Sequence, residues 1–222
     1  MTAPGAIAGG LDEAARLHWR ADASEGSLRR DERLWTAWTA WIVLVFCAPG
    51  ALLIAIEPLT FPAAAICFLH AWAVPWIQAR RGARQVVPIG SERSAARRAD
   101  SDGGAEAVAL GLLGDLVGHT ERDLLRETGL VLQRGNLGSW LVGEQGGFLI
   151  RGRGRRIDCW CVKVGDTTGL PAGDRVAHLL LALREDELGF AKVANLGFSG
   201  AAWRVRRHLE PRSRAAFAAA RG

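Results

Sequence analysis

Between Trp35 and Ile77 the chain carries a single formally charged side chain, Glu57. Few folds accept so long a run. A soluble domain alternates apolar and charged positions along each element, because one face of every helix or strand meets water. Here the stretch divides at Glu57-Pro58 into "WTAWTAWIVLVFCAPGALLIAI" (Trp35 to Ile56) and "PLTFPAAAICFLHAWAVPWI" (Pro58 to Ile77). At about 1.5 Å per helical residue, either half can cross a hydrocarbon core of roughly 30 Å. A charge and a proline are both costly in mid-helix within lipid, so Glu57-Pro58 reads as the reversal between two spans. The expectation is an α-helical transmembrane hairpin over residues 34–77.

Two signals independent of hydropathy agree. Trp35, Trp38 and Trp41 open the first span, and Trp72 and Trp76 close the second. A hairpin brings these ends to one interface, where tryptophans gather as a belt. "SLRRDER" before the first span and "QARRGAR" after the second are basic, whereas the short turn holds only Glu57. By the positive-inside rule both termini are cytoplasmic. The N-terminus, "MTAPGAIAGGLDEAARLHW", lacks the basic start and apolar core of a cleavable signal peptide. The chain has two lysines among its 28 basic residues and no tyrosine, a bias expected of GC-rich bacterial coding. The expected location is therefore a bacterial inner membrane, crossed twice.

Within the spans Cys47, Cys67 and His70 are polar groups at membrane depth. Cys67 and His70 share a helix face at i, i+3, and thiolate with imidazole is a donor set for a soft metal or haem iron. The competing reading is close helix packing at the cysteines and a hydrogen bond from His70. With no further ligand in the spans, packing is favoured and no cofactor is expected.

The remainder divides into an N-terminal segment (1–33), a basic flexible linker (78–103) and a cytoplasmic α+β domain (104–222). "VVPIGSERSAARRADSDGG" has no apolar period. From Ala105 to Leu125 apolar residues recur at helical spacing, and Thr128-Gly129 supplies a stop. Four β-type runs follow, "LVLQR", "LGSWLVG", "GFLIR" and "IDCWCVKV", separated by turn-forming residues. They predict an antiparallel four-strand meander with flanking helices against one sheet face. "AGDRVAHLLLALREDELG" predicts a helix with Asp174 as N-cap and Gly189 as terminating glycine. Residues 190–209 are ambiguous between strand and helix, and Pro211 opens a final helix.

The segment "RGRGRRIDCWCVK" offers three chemistries. Cys159 and Cys161 are half a zinc site, but no Cys-x-x-Cys or His-x-x-x-His lies near to complete it. Both faces of this strand are apolar, so the pair reads as buried core in a central strand. Arg151, Arg153, Arg155 and Arg156 surround two glycines at a turn between strands. They read as a solvated tip or, on a tethered domain, as a contact for anionic lipid or another polyanion. Asp115 and His119 at i, i+4 are a conceivable base and its orienting group, although surface helices carry such pairs routinely. His178 reads as packed.

"GAEA", a helix and "WLVGEQGGFLIRGR" faintly resemble the nuclease-related domain of membrane-tethered bacterial proteins. That resemblance implies an acidic pair and a lysine at the central strands, but Ser139, Arg151 and Arg153 stand at those places. A shifted register would offer only Asp158. The catalytic set is incomplete, and the resemblance is not adopted. The expected function is a binding or scaffolding module at the inner face of the membrane, partnered by the bilayer and by another protein or a second copy. The alternatives are a tethered enzyme, a degenerate nuclease-like domain, or a nucleic-acid binder. Residues 101–222 carry 17 basic and 14 acidic side chains, a net of +3 that is modest for nucleic acid.

Overall fold

The computed structural model describes residues 24–87, 103–162 and 170–221. The apolar run forms two helices. Ser24 caps α1 (Glu25–Ile56) reciprocally: its hydroxyl accepts from the Ser27 amide at 3.1 Å, and the Ser27 hydroxyl accepts from the Ser24 amide at 2.8 Å. A 3-10 turn (Pro58–Thr60), capped by Glu57, reverses the chain where the sequence suggests. Helix α2 (Phe61–Val86) then returns antiparallel to α1. A Cβ added to Gly50 would lie 3.2 Å from Cys67 and Phe68, and Phe46 stacks on His70 at 5.3 Å. Both helices are long and apolar enough to cross a membrane.

Helix α1 has 32 residues, about 48 Å at 1.5 Å per residue, against the roughly 30 Å of a bilayer core. The surplus turns are the charged ones, and they pack on a sheet. The strands β1 (Val131–Arg134), β2 (Ser139–Gly143), β3 (Gly146–Arg151), β4 (Arg156–Cys161) and β5 (Asn195–Ala201) form an antiparallel meander in that order. The expectation of four strands is thus corrected to five. Strand β5 comes from the ambiguous region, where "NLGFSGA" has four small residues and no clean alternation. Its pairing with β4 includes an irregularity at Cys159/Trp160.

Helices cover both faces of the sheet, not one. Over the first face lie α3 (Gly103–Leu116), α4 (His119–Thr128), α5 (Ala172–Glu185) and α6 (Glu187–Val193), burying Trp140, Leu149 and Trp160 against Leu113, Leu180 and Phe190. The second face buries Phe148, Ile157, Cys159 and Phe198. It is covered by the last turns of α2 and by α7 (Ala202–Arg206) and α8 (Pro211–Ala219). Leu28 joins the first cluster, while Trp35 meets Phe198 on the second face at 6.0 Å. The start of α1 therefore passes along β5, one of the two edge strands of the described sheet, and shields it.

Several boundaries differ from expectation. The linker does not begin at 78, because α2 continues to Val86, with Ala79, Gly82 and Ala83 buried on the sheet. Residues 88–102, the rest of that linker, lie outside the described residues, as does most of the N-terminal segment. The long helix after Gly104 is two helices, broken at Val117-Gly118, and Gly129 ends the second with a left-handed φ of 69° as expected. Asp174 lies in the first turn of α5 and is not its cap. Instead Glu106 reaches across from α3 to accept from the Ala172 and Gly173 amides at 2.7 and 3.1 Å. Gly189 does not terminate a helix either. Asp186 ends α5 and caps α6, accepting from the Gly189 amide at 2.8 Å. Pro211 does open the final helix.

Candidate functional site

The arginine-rich segment folds into the β3–β4 turn. Gly152, Arg153 and Gly154 all take left-handed φ, at 60°, 55° and 76°. Two glycines make such a turn cheap, and Arg153 is the residue that bears the Cβ strain. The four arginines then separate by role. Arg153 and Arg155 are exposed, as a solvated tip requires. Arg151 and Arg156 turn back toward α1 and enter a charge network that the sequence reading did not foresee.

At its centre is Asp158, 2 % exposed. Its carboxylate accepts from Arg151 Nε at 2.8 Å and from the Ser199 hydroxyl at 2.6 Å, and Arg151 Nη2 lies 2.7 Å away. The same Nη2 is 3.0 Å from Glu32, whose other oxygen pairs with Arg156 Nε at 2.5 Å. Arg156 also donates to the Thr36 hydroxyl at 2.7 Å, and Thr36 donates back to the Glu32 carbonyl at 2.9 Å. Two carboxylates and two guanidinium groups balance, which burial demands. Burial pushes the Asp158 carboxyl above its ordinary range, opposed chiefly by the Arg151 charge and the Ser199 hydrogen bond. Glu32 and Thr36, one turn apart on α1, thus clamp the apolar helix pair to β3 and β4. Nothing local in the sequence marks Glu32 or Ser199, which stand far from the arginines along the chain.

A second feature is a cavity of about 780 Å³ between α3, α4, α5 and the end of α2, lined in part by Glu106, Leu110, Arg122, Arg126 and Val176. Asp115 borders it but pairs with Arg122 at 3.3 Å. Asp115 and His119, the conceivable base and its orienting group, stand on separate helices and are both exposed, as an ordinary surface pair would be. His178 is exposed, contrary to the packed reading.

Cys159 is fully buried and burial pushes its thiol well up, whereas Cys161 is half-buried and raised by burial to a lesser degree. Only the first fits the core expectation, because β4 ends at Cys161. His70 approaches the Ile66 carbonyl through Nδ1 at 2.8 Å, and Cys67 packs beside Gly50. Among the described residues, no group of three or more His, Cys, Asp or Glu side chains converges as a metal site needs. Of the five tryptophans expected to form a belt, Trp38, Trp41 and Trp72 are exposed and Trp76 stacks on Trp72 at 5.8 Å. Trp35 is instead drawn against Phe198.

Comparison with known proteins returned no matching family model, no matching curated protein and no matching solved structure.

Proposed function

We propose that this is an integral membrane protein of a bacterial inner membrane, with both termini cytoplasmic, whose α+β domain is a binding module held in fixed orientation at the inner face. The observation that carries the reading is the uncovered apolar surface of the helix pair. Leu44, Leu52, Ile56, Ile66 and Leu69 are each more than half exposed. Water would make that surface an aggregation liability, and hydrocarbon would cover it. From Trp38 to Ile56 the rise is about 28 Å, close to one bilayer core. Beyond that level α1 and α2 carry their charged turns onto the sheet, and the domain is docked directly on the helix ends.

Binding is favoured over catalysis because, among the described residues, the titratable side chains single out no nucleophile with a base in reach. Asp158, the most buried acid among the described residues, is consumed by Arg151 and Ser199. The test is fractionation followed by topology mapping. The protein should stay in membranes through alkaline carbonate washing and leave only with detergent. Reporters active solely in the cytoplasm should work before Met1 and after Gly222. Release by carbonate defeats membrane insertion, and activity at one end alone defeats the double crossing.

A further inference from the structure

Where α2 leaves its apolar run, two guanidinium groups flank the Pro75-Trp76 step. Arg80 lies over the Trp76 ring at 5.0 Å. Arg204, from α7, donates through Nη2 to the Pro75 carbonyl at 2.5 Å and rests over Phe198 at 5.0 Å. His208 closes the group, edge-on to Trp76 at 5.1 Å. Beside it Arg207 stacks on Trp203 at 4.7 Å, and Trp203 is 58 % exposed, as bare as Trp72. Tryptophan is a residue type enriched at membrane interfaces, where its apolar ring and polar N–H meet both media.

The charges here are not balanced as they are around Glu32. Among the described residues, Arg80, Arg204 and Arg207 make no ion pair with a carboxylate. Burial alone lowers Arg204, and His208 is pushed below its ordinary value by burial and then by the Arg80 and Arg204 charges, with no acid acting against them. A half-buried cation without a counter-ion is costly. Planar guanidinium forks match the oxygens of a phosphate, and interface tryptophans match the glycerol level of a lipid.

We propose that Arg80, Arg204 and Arg207, with Trp76, Trp203 and His208, form a site for the phosphate headgroup of an anionic lipid in the inner leaflet. The site rests on the membrane reading above. It supplies a device that the β3–β4 tip does not. Only Arg153 and Arg155 remain exposed at that tip, whereas this cluster adjoins the end of the apolar span. A lipid bound here bridges α2 and α7 and fixes the height of the domain against the bilayer.

The experiment uses the full-length protein in neutral detergent, titrated with phosphatidylglycerol or with phosphatidylcholine of the same chains, and counts bound lipid by native mass spectrometry. Phosphatidylglycerol should bind at least fivefold more tightly. Arg80→Gln and Arg207→Gln should each weaken it about fivefold, the equivalent of roughly 1 kcal/mol per arginine near a charged leaflet. Phosphatidylcholine binding and the melting temperature in phosphatidylcholine should stay unchanged, and Arg126→Gln, which lines the cavity and is not part of the cluster, should have no effect. Equal affinity for the two lipids, or full selectivity in the Arg80→Gln/Arg207→Gln double variant, overturns the site. Inorganic phosphate that binds as tightly as the lipid assigns the cluster to a free anion and overturns the headgroup. Carbonate washing separates the two failures. Protein retained in membranes without lipid selectivity removes the site alone, and protein released by carbonate removes the membrane reading with it.

Discussion

At Gly82 α2 packs closely on the sheet. A Cβ built there would lie 2.4 Å from Phe198 Cβ, 3.0 Å from Phe198 Cγ and 3.3 Å from Cys159 Sγ. The nearest atom is the root of a side chain, not a flexible end, so the helix or β5 must move. Comfortable carbon contacts begin near 3.5 Å, which requires a shift of roughly 1 Å. Overpacking of this kind costs about 1–3 kcal/mol. Against it stands the helix preference for alanine over glycine, at most about 1 kcal/mol. Packing wins, and Gly82→Ala should destabilise by about 1–2 kcal/mol. Gly111 in α3 is the converse case. Nothing lies within 4 Å of its added Cβ, and the residue is exposed. There only propensity acts, and Gly111→Ala should stabilise by up to about 1 kcal/mol. Thermal melting in detergent compares the two. Alkylation of Cys159, in a background where Cys47, Cys67 and Cys161 are alanine, reports whether α2 has lifted from β4. A Gly82→Ala protein that melts no lower than wild type, with Cys159 still protected, would refute the docking of α2 on the sheet.

Glu32→Gln and Arg156→Gln should each lower stability by less than the roughly 3–5 kcal/mol of a fully buried pair, because these side chains are 21 % and 29 % exposed. Their double variant should lose less than the sum, by about 0.5–3 kcal/mol, and strict additivity would remove the clamp. Asp158 has its pKa raised above 3.8 by burial, so protonation is easier in the folded than in the unfolded chain. Its contribution favours folding fully below about pH 3.8 and is lost as pH rises through the raised value. The melting difference between wild type and Asp158→Asn, which resembles the protonated acid, should therefore shrink as pH falls from 7 toward 4, and a constant or widening gap contradicts this. At pH 8 a maleimide should label Cys161 while Cys159 reacts only on unfolding. Equal labelling of both in the folded protein would place β4 at the surface.

The sequence alone determined what depends on local pattern. Forty-three residues with one charge can form little other than paired apolar helices, so the reversal at Glu57-Pro58 and the two long apolar helices were legible. Period-two alternation and turn glycines likewise announced β1 to β4, and the left-handed stop at Gly129 was written in Thr128-Gly129. Strand β5 was not legible, because "NLGFSGA" owes its extended state to pairing with β4 and to cover from α1. Propensity is a weak guide where neighbours supply the hydrogen bonds and the burial. The arginines of "RGRGRR" looked alike in one dimension. Only the fold, by passing α1 along β5, brought Glu32 within reach of Arg151 and Arg156 and left Arg153 and Arg155 in solvent. Arg80 and Arg204 are separated by more than half the chain and meet only because α7 packs where α2 leaves the apolar run. Charge pairing acts through space at a few ångströms, so which cation is balanced and which is left for a ligand was decided by tertiary structure.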